Sequence, residues 1–336
     1  MEARAGRHGA RPSLVVFPGI TLSMIKVLEA VPNFSEGRDL EIVRGLVDTI
    51  SSFDVDVLDW SADADHNRCV VTYIGNPEAV EAAALAAAGF AIEHIDLRDH
   101  QGVHPRVGAL DVMPFVPVHG LDMDHAVDSA RRVGDGIAAL GVPVYFYGYA
   151  SRPPGRGLAA LRRGGFEALI AGFENGRPPD LPADATVPHA TAGVTCVGAR
   201  EVLLAWNVFV AGIDVAQARR VASSIRERDG GLAGLRALGL RLEGQDRVQI
   251  SMNLEDPERT SPVAVFERIE SEVRAMGGSV VETEVIGMMP EALVLPATAG
   301  RLKLPDLGAA RVLSHRVAEH VLARSGGPTE ISDITE

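Results

Sequence analysis

The chain has 336 residues, 45 of them acidic against 32 lysines and arginines, for a formal net charge of -13 at pH 7. That field, with no long basic stripe to offset it, speaks against nucleic acid as a partner, and no run of about 18 uninterrupted apolar residues is there to span a membrane. Cys69 and Cys196 stand far apart without CxxC or zinc-ligand spacing, so neither a disulfide framework nor a structural metal is indicated, and the cytoplasm is the expected compartment.

In chain order, residues 1–23 carry three arginines and a short apolar patch broken by Pro18 and Gly19, a poor signal peptide. The plainer reading is an unstructured leader ahead of a functional start at Met24. A strand is expected over 25–31. The following VPNFSEGRD reads as a turn with Asp39 as N-cap of a helix over 40–50, its Ser35, Glu36 and Gly37 free to present amides and a hydroxyl. Strands over 55–60 and 69–74 flank an acidic loop holding Asp63, Asp65, His66, Asn67 and Arg68, the junction of a hairpin. An alanine-rich helix spans 77–94. After the loop and strand of 99–117 come a helix over 122–140 and a strand over 142–147, an α+β order with helices on one face of a sheet.

The stretch DHQGVHPRVGALDVMPFVP, 99–117, concentrates titratable groups ahead of an apolar strand. His100 and His104 stand four apart, the spacing of a helical metal site, but Gly102 and Pro105 make a helix improbable and predict a loop at a sheet end, where clefts form. His104, clamped between Gly102 and Pro105 and followed by Arg106, is the better candidate for chemistry. The alternative is a loop histidine satisfied by backbone.

Four pieces in order, VPNFSEGRD, DADHNRCVVT, the 99–117 run and GVPVYFYG, resemble the formiminotransferase family, whose members move a formimino group from N-formimino-L-glutamate to tetrahydrofolate. The resemblance covers about Met24 to Tyr149 and continues more weakly through VPHATAGVTCVGAREVLLAWN and the remaining third. It implies that His104, which matches the histidine of the family's HPR triplet, is catalytic, with His100 its neighbour. It also implies that the segment from Asp184 through Val187, Pro188, His189 and Gly193 lies against the folate. The vertebrate bifunctional members add a helical cyclodeaminase domain, which this sequence does not contain, so a monofunctional transferase is expected.

The implied reaction needs one proton taken from the attacking N5 and one given to the departing amine, work a single imidazole can do, with no metal required. A carboxylate is expected to orient the amidinium, from among Asp59, Asp63, Asp65 and Asp111. Asn67 and Arg68 are expected to line the same cleft and Arg106 to hold a glutamate carboxylate, although each is equally open to a structural role. Between Tyr149 and Arg163, Arg152, Arg156, Arg162 and Arg163 stand among prolines and glycines. Arginine forks suit carboxylates, so Arg152 and Arg156 are candidates for the glutamate tail of the folate, against the alternative of a solvated linker. The passage 172–188 reads as a surface excursion.

The second half repeats the architecture: a strand over 202–210, a helix over 215–228, strands over 239–242 and 248–253, a helix over 262–276 and a strand over 279–286, the βαββαβ pattern. The expected fold class is therefore α+β, two ferredoxin-like α/β subdomains over 24–200 and 201–325 with facing β-sheets, helices on the outer faces, a final helix over 309–323 and a tail over 326–336. The expected partners are N-formimino-L-glutamate and tetrahydrofolate, which a polyglutamate tail would suit, with a homodimer left open. Formyl transfer or 5-formyltetrahydrofolate cyclodehydration in the same cleft, a metal hydrolase built on His100 and His104, and a non-catalytic folate-binding module are the competing readings.

Overall fold

The computed structural model describes residues 25–173, 177–257, 259–305 and 308–325. The expected leader and tail lie outside the described residues. The first sheet opens with β1 (Val27–Ala30) and β2 (Asn33–Phe34), which follow one another between the same two neighbours, β4 (Arg68–Gly75) and β5 (Leu110–His119), all antiparallel. Pro32 separates them because it has no N–H to give the ladder, and its carbonyl accepts from the Val71 amide instead. This corrects the turn expected at VPNF: the strand resumes beyond the proline, and only the residues from Ser35 form the loop. β3 (Val55–Asp63) pairs with β4 as the expected hairpin.

Helix α1 (Leu40–Ser51) starts where Asp39 accepts from the Glu41 and Ile42 amides and buries Val43, Leu46 and Ile50, one face at helical spacing. Helix α2 (Pro77–His94) has Pro at its start, an Asn76 cap, and a buried row of alanines that lets it lie close to its neighbours. With these two helices on one face, β1/β2, α1, β3, β4, α2 and β5 make one ferredoxin-like unit. Helix α3 (Met123–Ala139), opened by a capping box between Asp122 and His125, leads to β6 (Val144–Gly148). The sheet is completed by a strand the sequence reading did not separate, β7 (Thr195–Ala199), which inserts parallel between β5 and β6.

The second sheet has the order β11-β8-β10-β9, from β8 (Leu204–Ala211), β9 (Leu235–Leu242), β10 (Arg247–Leu254) and β11 (Ser279–Ile286), all antiparallel. Helices α5 (Val215–Ile225) and α6 (Pro262–Ala275) cover one face around Trp206, Ile250 and Phe266, so the second ferredoxin-like subdomain stands as expected. Its other face carries Gln249, which reaches the β3–β4 turn of the first sheet, and Gly244 donates to Asp65 there at 2.6 Å.

Helices α1 to α3, α5 and α6 lie on the outer faces. The inner face of the first sheet is covered by two further pieces. Short α4 (Leu158–Leu161) and the residues after it pack on Val112, Tyr145 and Cys196. After α7 (Pro296–Arg301), α8 (Leu313–Arg324) seats Leu313, Val317 and Val321 on Val27 and Ile74. The final helix thus begins four residues later than the sequence suggested, residues Ala309–Arg311 forming a 3-10 turn. Around this contact His320 bonds Asp56 at 2.5 Å and Arg324 pairs with Asp54 at 2.8 Å. Among the described residues no helix is long and apolar enough to cross a membrane.

Candidate active site

Three loops from one end of the first sheet converge on His104. The turn after β3 places Asn67 in the left-handed region at φ 46°, from which its Oδ1 accepts from the Gly37 amide at 3.0 Å and its carbonyl from His100 Nε2 at 2.7 Å. Gly37 belongs to the second loop, and a Cβ there would stand 2.4 Å from the Asp63 carbonyl. The third loop, 99–109, lies directly on the turn. A Cβ on Gly102 would come within 2.2 Å of the His66 carbonyl, and the Val103 amide donates to Asp65 O. The glycine and proline that excluded a helix therefore do what the sequence suggested, holding the imidazole of His104 on an irregular segment pinned at both sides.

At the centre, His104 Nε2 lies 3.3 Å from Arg68 Nη1, and its ring meets the ring of His66 edge-on with centroids 5.9 Å apart. The residues form a narrow crevice with Ser35, Asn67, His100 and Arg106. Burial holds the His104 imidazole well below the usual histidine range, and the Arg68 and Arg162 guanidiniums push it in the same direction, so the ring is neutral at pH 7. His66 is lowered as well, chiefly by burial, with Asp63 pulling the other way. Arg68 is itself brought down to about 10 by burial and by Arg162. His100, also lowered by burial, gives its Nε2 to the Asn67 carbonyl, whereas His104 faces Arg68 and His66. Among the described residues no group of three or more His, Cys, Asp or Glu side chains could hold a metal ion.

The sequence matches two family models, the N-terminal subdomain of the formiminotransferase domain over residues 27–200 and the formiminotransferase domain over 205–303. The chain belongs to the formiminotransferase family. It is 38% identical to the glutamate formimidoyltransferase of Streptococcus pyogenes serotype M1, covering 84% of this chain and 95% of that one. Identity to the glutamate formimidoyltransferase of Thermoplasma acidophilum is 36%, over 87% and 98%. The formimidoyltransferase-cyclodeaminase of Gallus gallus is 40% identical over 84% of this chain and 54% of its own length, so the chain spans about half of that bifunctional relative. The likeness to the crystal structure of pitrilysin is remote, at 10% identity and a TM-score of 0.19 over 75% of this chain and 34% of that one.

Within this formiminotransferase the remaining candidates divide by whether they already have partners. Asp63 receives the His66 amide at 2.8 Å, Asp65 the Gly244 amide, and Asp59 faces Arg311 at 3.4 Å. Asp111 accepts from the Val107 and Gly108 amides and pairs, almost fully buried, with Arg162. Arg106 reaches the crevice wall, bonding the His100 carbonyl, but its charge is matched by Glu167 at 2.7 Å. Arg156 bonds the Phe146 carbonyl and Asp180, an internal tie, whereas Arg152 is exposed. His189 and Gly193 exchange backbone hydrogen bonds at 2.9 and 3.0 Å, and His189 Nδ1 accepts from Ala192, making a tight turn against Val107. Pro188 is half-buried beside it, while Asp184 and Val187 are exposed.

Three side chains at the site escaped sequence reasoning. His66 was visible in the acidic loop, but nothing there tied it to His104. Arg162 stood among four arginines with no local feature to single it out. Gln249 sits at an alternating polar position of β10, a pattern that reads as solvent-facing; the opposing subdomain buries it, and its amide nitrogen lies 3.4 Å from His66 Nε2.

Proposed function

We propose that this protein is a glutamate formimidoyltransferase, moving the formimino group of N-formimino-L-glutamate to N5 of tetrahydrofolate and releasing 5-formiminotetrahydrofolate and L-glutamate. The observation that carries the mechanism is the placement of His104 in the crevice, its Nε2 3.3 Å from Arg68 Nη1, where burial and the nearby guanidiniums hold the ring below the usual histidine range. N5 attacks the amidine carbon, giving a tetrahedral carbon that bears three nitrogens, with N5 transiently cationic. His104 takes the N5 proton and returns it to the glutamate nitrogen as the carbon–nitrogen bond to glutamate breaks. A ring that holds its proton weakly suits this cycle, because the cationic N5 is a strong acid and the departing amine needs a ready proton donor.

Arg68, which has no ion-pair partner among the described residues, supplies positive charge for a carboxylate of the donor, with Arg106 beside it on the crevice wall, and exposed Arg152 is the candidate for the acidic tail of the folate, which polyglutamylation would lengthen. The carboxylates of Asp63 and Asp65 line the approach for the amidinium, together with Asn67. The segment carrying Asp184, Val187, Pro188, His189 and Gly193 is assigned to the folate because its turn braces the loop that bears His104. The division into two subdomains at residue 200, and a cytoplasmic enzyme with its cysteines reduced, belong to the same reading; both Cys69 and Cys196 are free and buried. Release of L-glutamate on mixing the purified protein with N-formimino-L-glutamate and tetrahydrofolate tests it. Release with either alone, or none with both, refutes it.

A further inference from the structure

Arg68 is half-buried beside the base yet forms no ion pair among the described residues. Its Nη2 donates to the side-chain oxygen of Asn33, its Nη1 faces His104 Nε2 at 3.3 Å, and its buried Nε has no partner. The other guanidinium near the ring, Arg162, differs in having its charge matched by buried Asp111. A guanidinium held by an amide and an imidazole is short of an anion, which is costly where part of the group, here Nε, is out of water. Its present contact has a second effect. A guanidinium carries only donors, so where it meets an imidazole nitrogen it occupies the lone pair that a base needs.

We propose that Arg68 is a removable cap on the catalytic base: in the free protein its guanidinium engages Nε2 of His104, and a carboxylate of the bound formimino donor draws it off, leaving the ring competent. This rests on the reading of the protein as a glutamate formimidoyltransferase. The groups that face His104 are Arg68 from β4, Arg162 from the segment after α4, and His66 from the β3–β4 turn, with Asp63 beside His66 and Asp111 beside Arg162. Of these, only Arg68 has direct contact with the ring and no carboxylate within ion-pair distance among the described residues, Asp111 and Asp63 acting on it from further off. Binding a dicarboxylic donor therefore adds an anion near the ring and removes its lone-pair partner in one event. Both changes raise the proton affinity of His104, whose depression in the free state follows from burial first and Arg68 second. Tetrahydrofolate arriving alone would meet a capped ring.

The test compares two pH profiles of the wild-type enzyme. The acidic limb of kcat/KM for the donor reports His104 in the free protein, and that of kcat, with tetrahydrofolate saturating, reports it in the complex. The cap predicts that the kcat limb lies at higher pH by about one unit or more, roughly a tenfold gain in proton affinity, the usual scale of a nearby opposite charge. In Arg68→Gln the free-enzyme limb should move up and the gap should close. Nuclear magnetic resonance of the His104 ring, titrated with and without saturating L-glutamate, gives a readout independent of turnover and should show the same rise on binding. Coincident limbs in an active wild type, or an unmoved His104 titration with glutamate bound, overturn the cap alone. An enzyme that releases no glutamate overturns the functional reading and the cap with it. The wild-type comparison stands even where Arg68→Gln fails to fold.

Discussion

Replacing Glu29 by Gln should stabilise the protein above neutral pH and do almost nothing in acid. Glu29 lies in β1 between Leu28 and Ala30, whose side chains enter the helix-covered core, so its own side chain points to the inner face, where it is 4% exposed. Burial lifts its carboxyl to about 7, with Arg200 pulling it down. The sign follows from linkage. Below about pH 4, near the pKa of an unfolded glutamate, both states are protonated and the contribution to stability is intact. Between there and about pH 7 the unfolded chain ionises while the folded one resists, so stability is lost as pH rises through the folded value. Each tenfold difference in proton affinity is worth about 1.4 kcal/mol, which puts the full cost at roughly 3 kcal/mol by about pH 8. Glutamine keeps the shape and cannot ionise. Urea unfolding at about pH 4.5 and pH 8 should therefore give matching midpoints in acid and a higher midpoint for the variant in base, at unchanged slope. A variant that loses stability at the higher pH would show that the Glu29–Arg200 attraction outweighs burial, and the reasoning would fail.

His104→Ala should lower turnover by about a hundredfold or more with a much smaller change in substrate affinity, and should abolish the acidic limb, which in the wild type lies below the usual histidine range. His100→Ala should instead lower the unfolding midpoint, since its ring holds the Asn67 carbonyl; the reverse pattern of losses would contradict the division of roles. Arg152→Ala should raise the Michaelis constant for folate at unchanged stability, while Arg156→Ala should cost roughly 1.5–3 kcal/mol of stability by breaking its ties to Asp180 and Phe146. Gly193→Ala should destabilise the protein measurably in thermal unfolding, because φ is 69° and the new Cβ would stand 2.1 Å from the Val107 carbonyl. Gln249→Leu should reduce kcat more than it shifts the unfolding midpoint, and an effect on the midpoint alone would make Gln249 a packing residue.

Periodicity and caps made most elements legible. The helix over 77–94 and the strand over 279–286 stand at the residues expected, and Asp39 caps as its position implies, while Asp122, read as the first residue of its helix, is the cap instead. β7 was illegible because its five residues carry no alternation, being buried on both faces. β2 was hidden by Pro32, which signals a turn locally but here only interrupts a strand. At the site, His104 could be placed from its flanking glycine and proline and from the resemblance to formiminotransferases. Gln249 could not, since its importance arises from a contact across 183 positions of sequence, and Arg162 becomes distinct from its neighbouring arginines only once the fold sets Asp111 against it.

The seat of α8 on the first sheet changes what the two-subdomain description means for folding. Val27 on β1 and Ile74 on β4 of the first ferredoxin-like unit complete their packing with Leu313, Val317 and Val321, from more than 200 residues further along the chain. The first unit is therefore unroofed until residues 313–321 have been made, and a fragment ending near residue 200 would expose that apolar strip to water. Unfolding should then proceed as one transition, and two separately made halves should find each other in solution because each carries part of the other's interior.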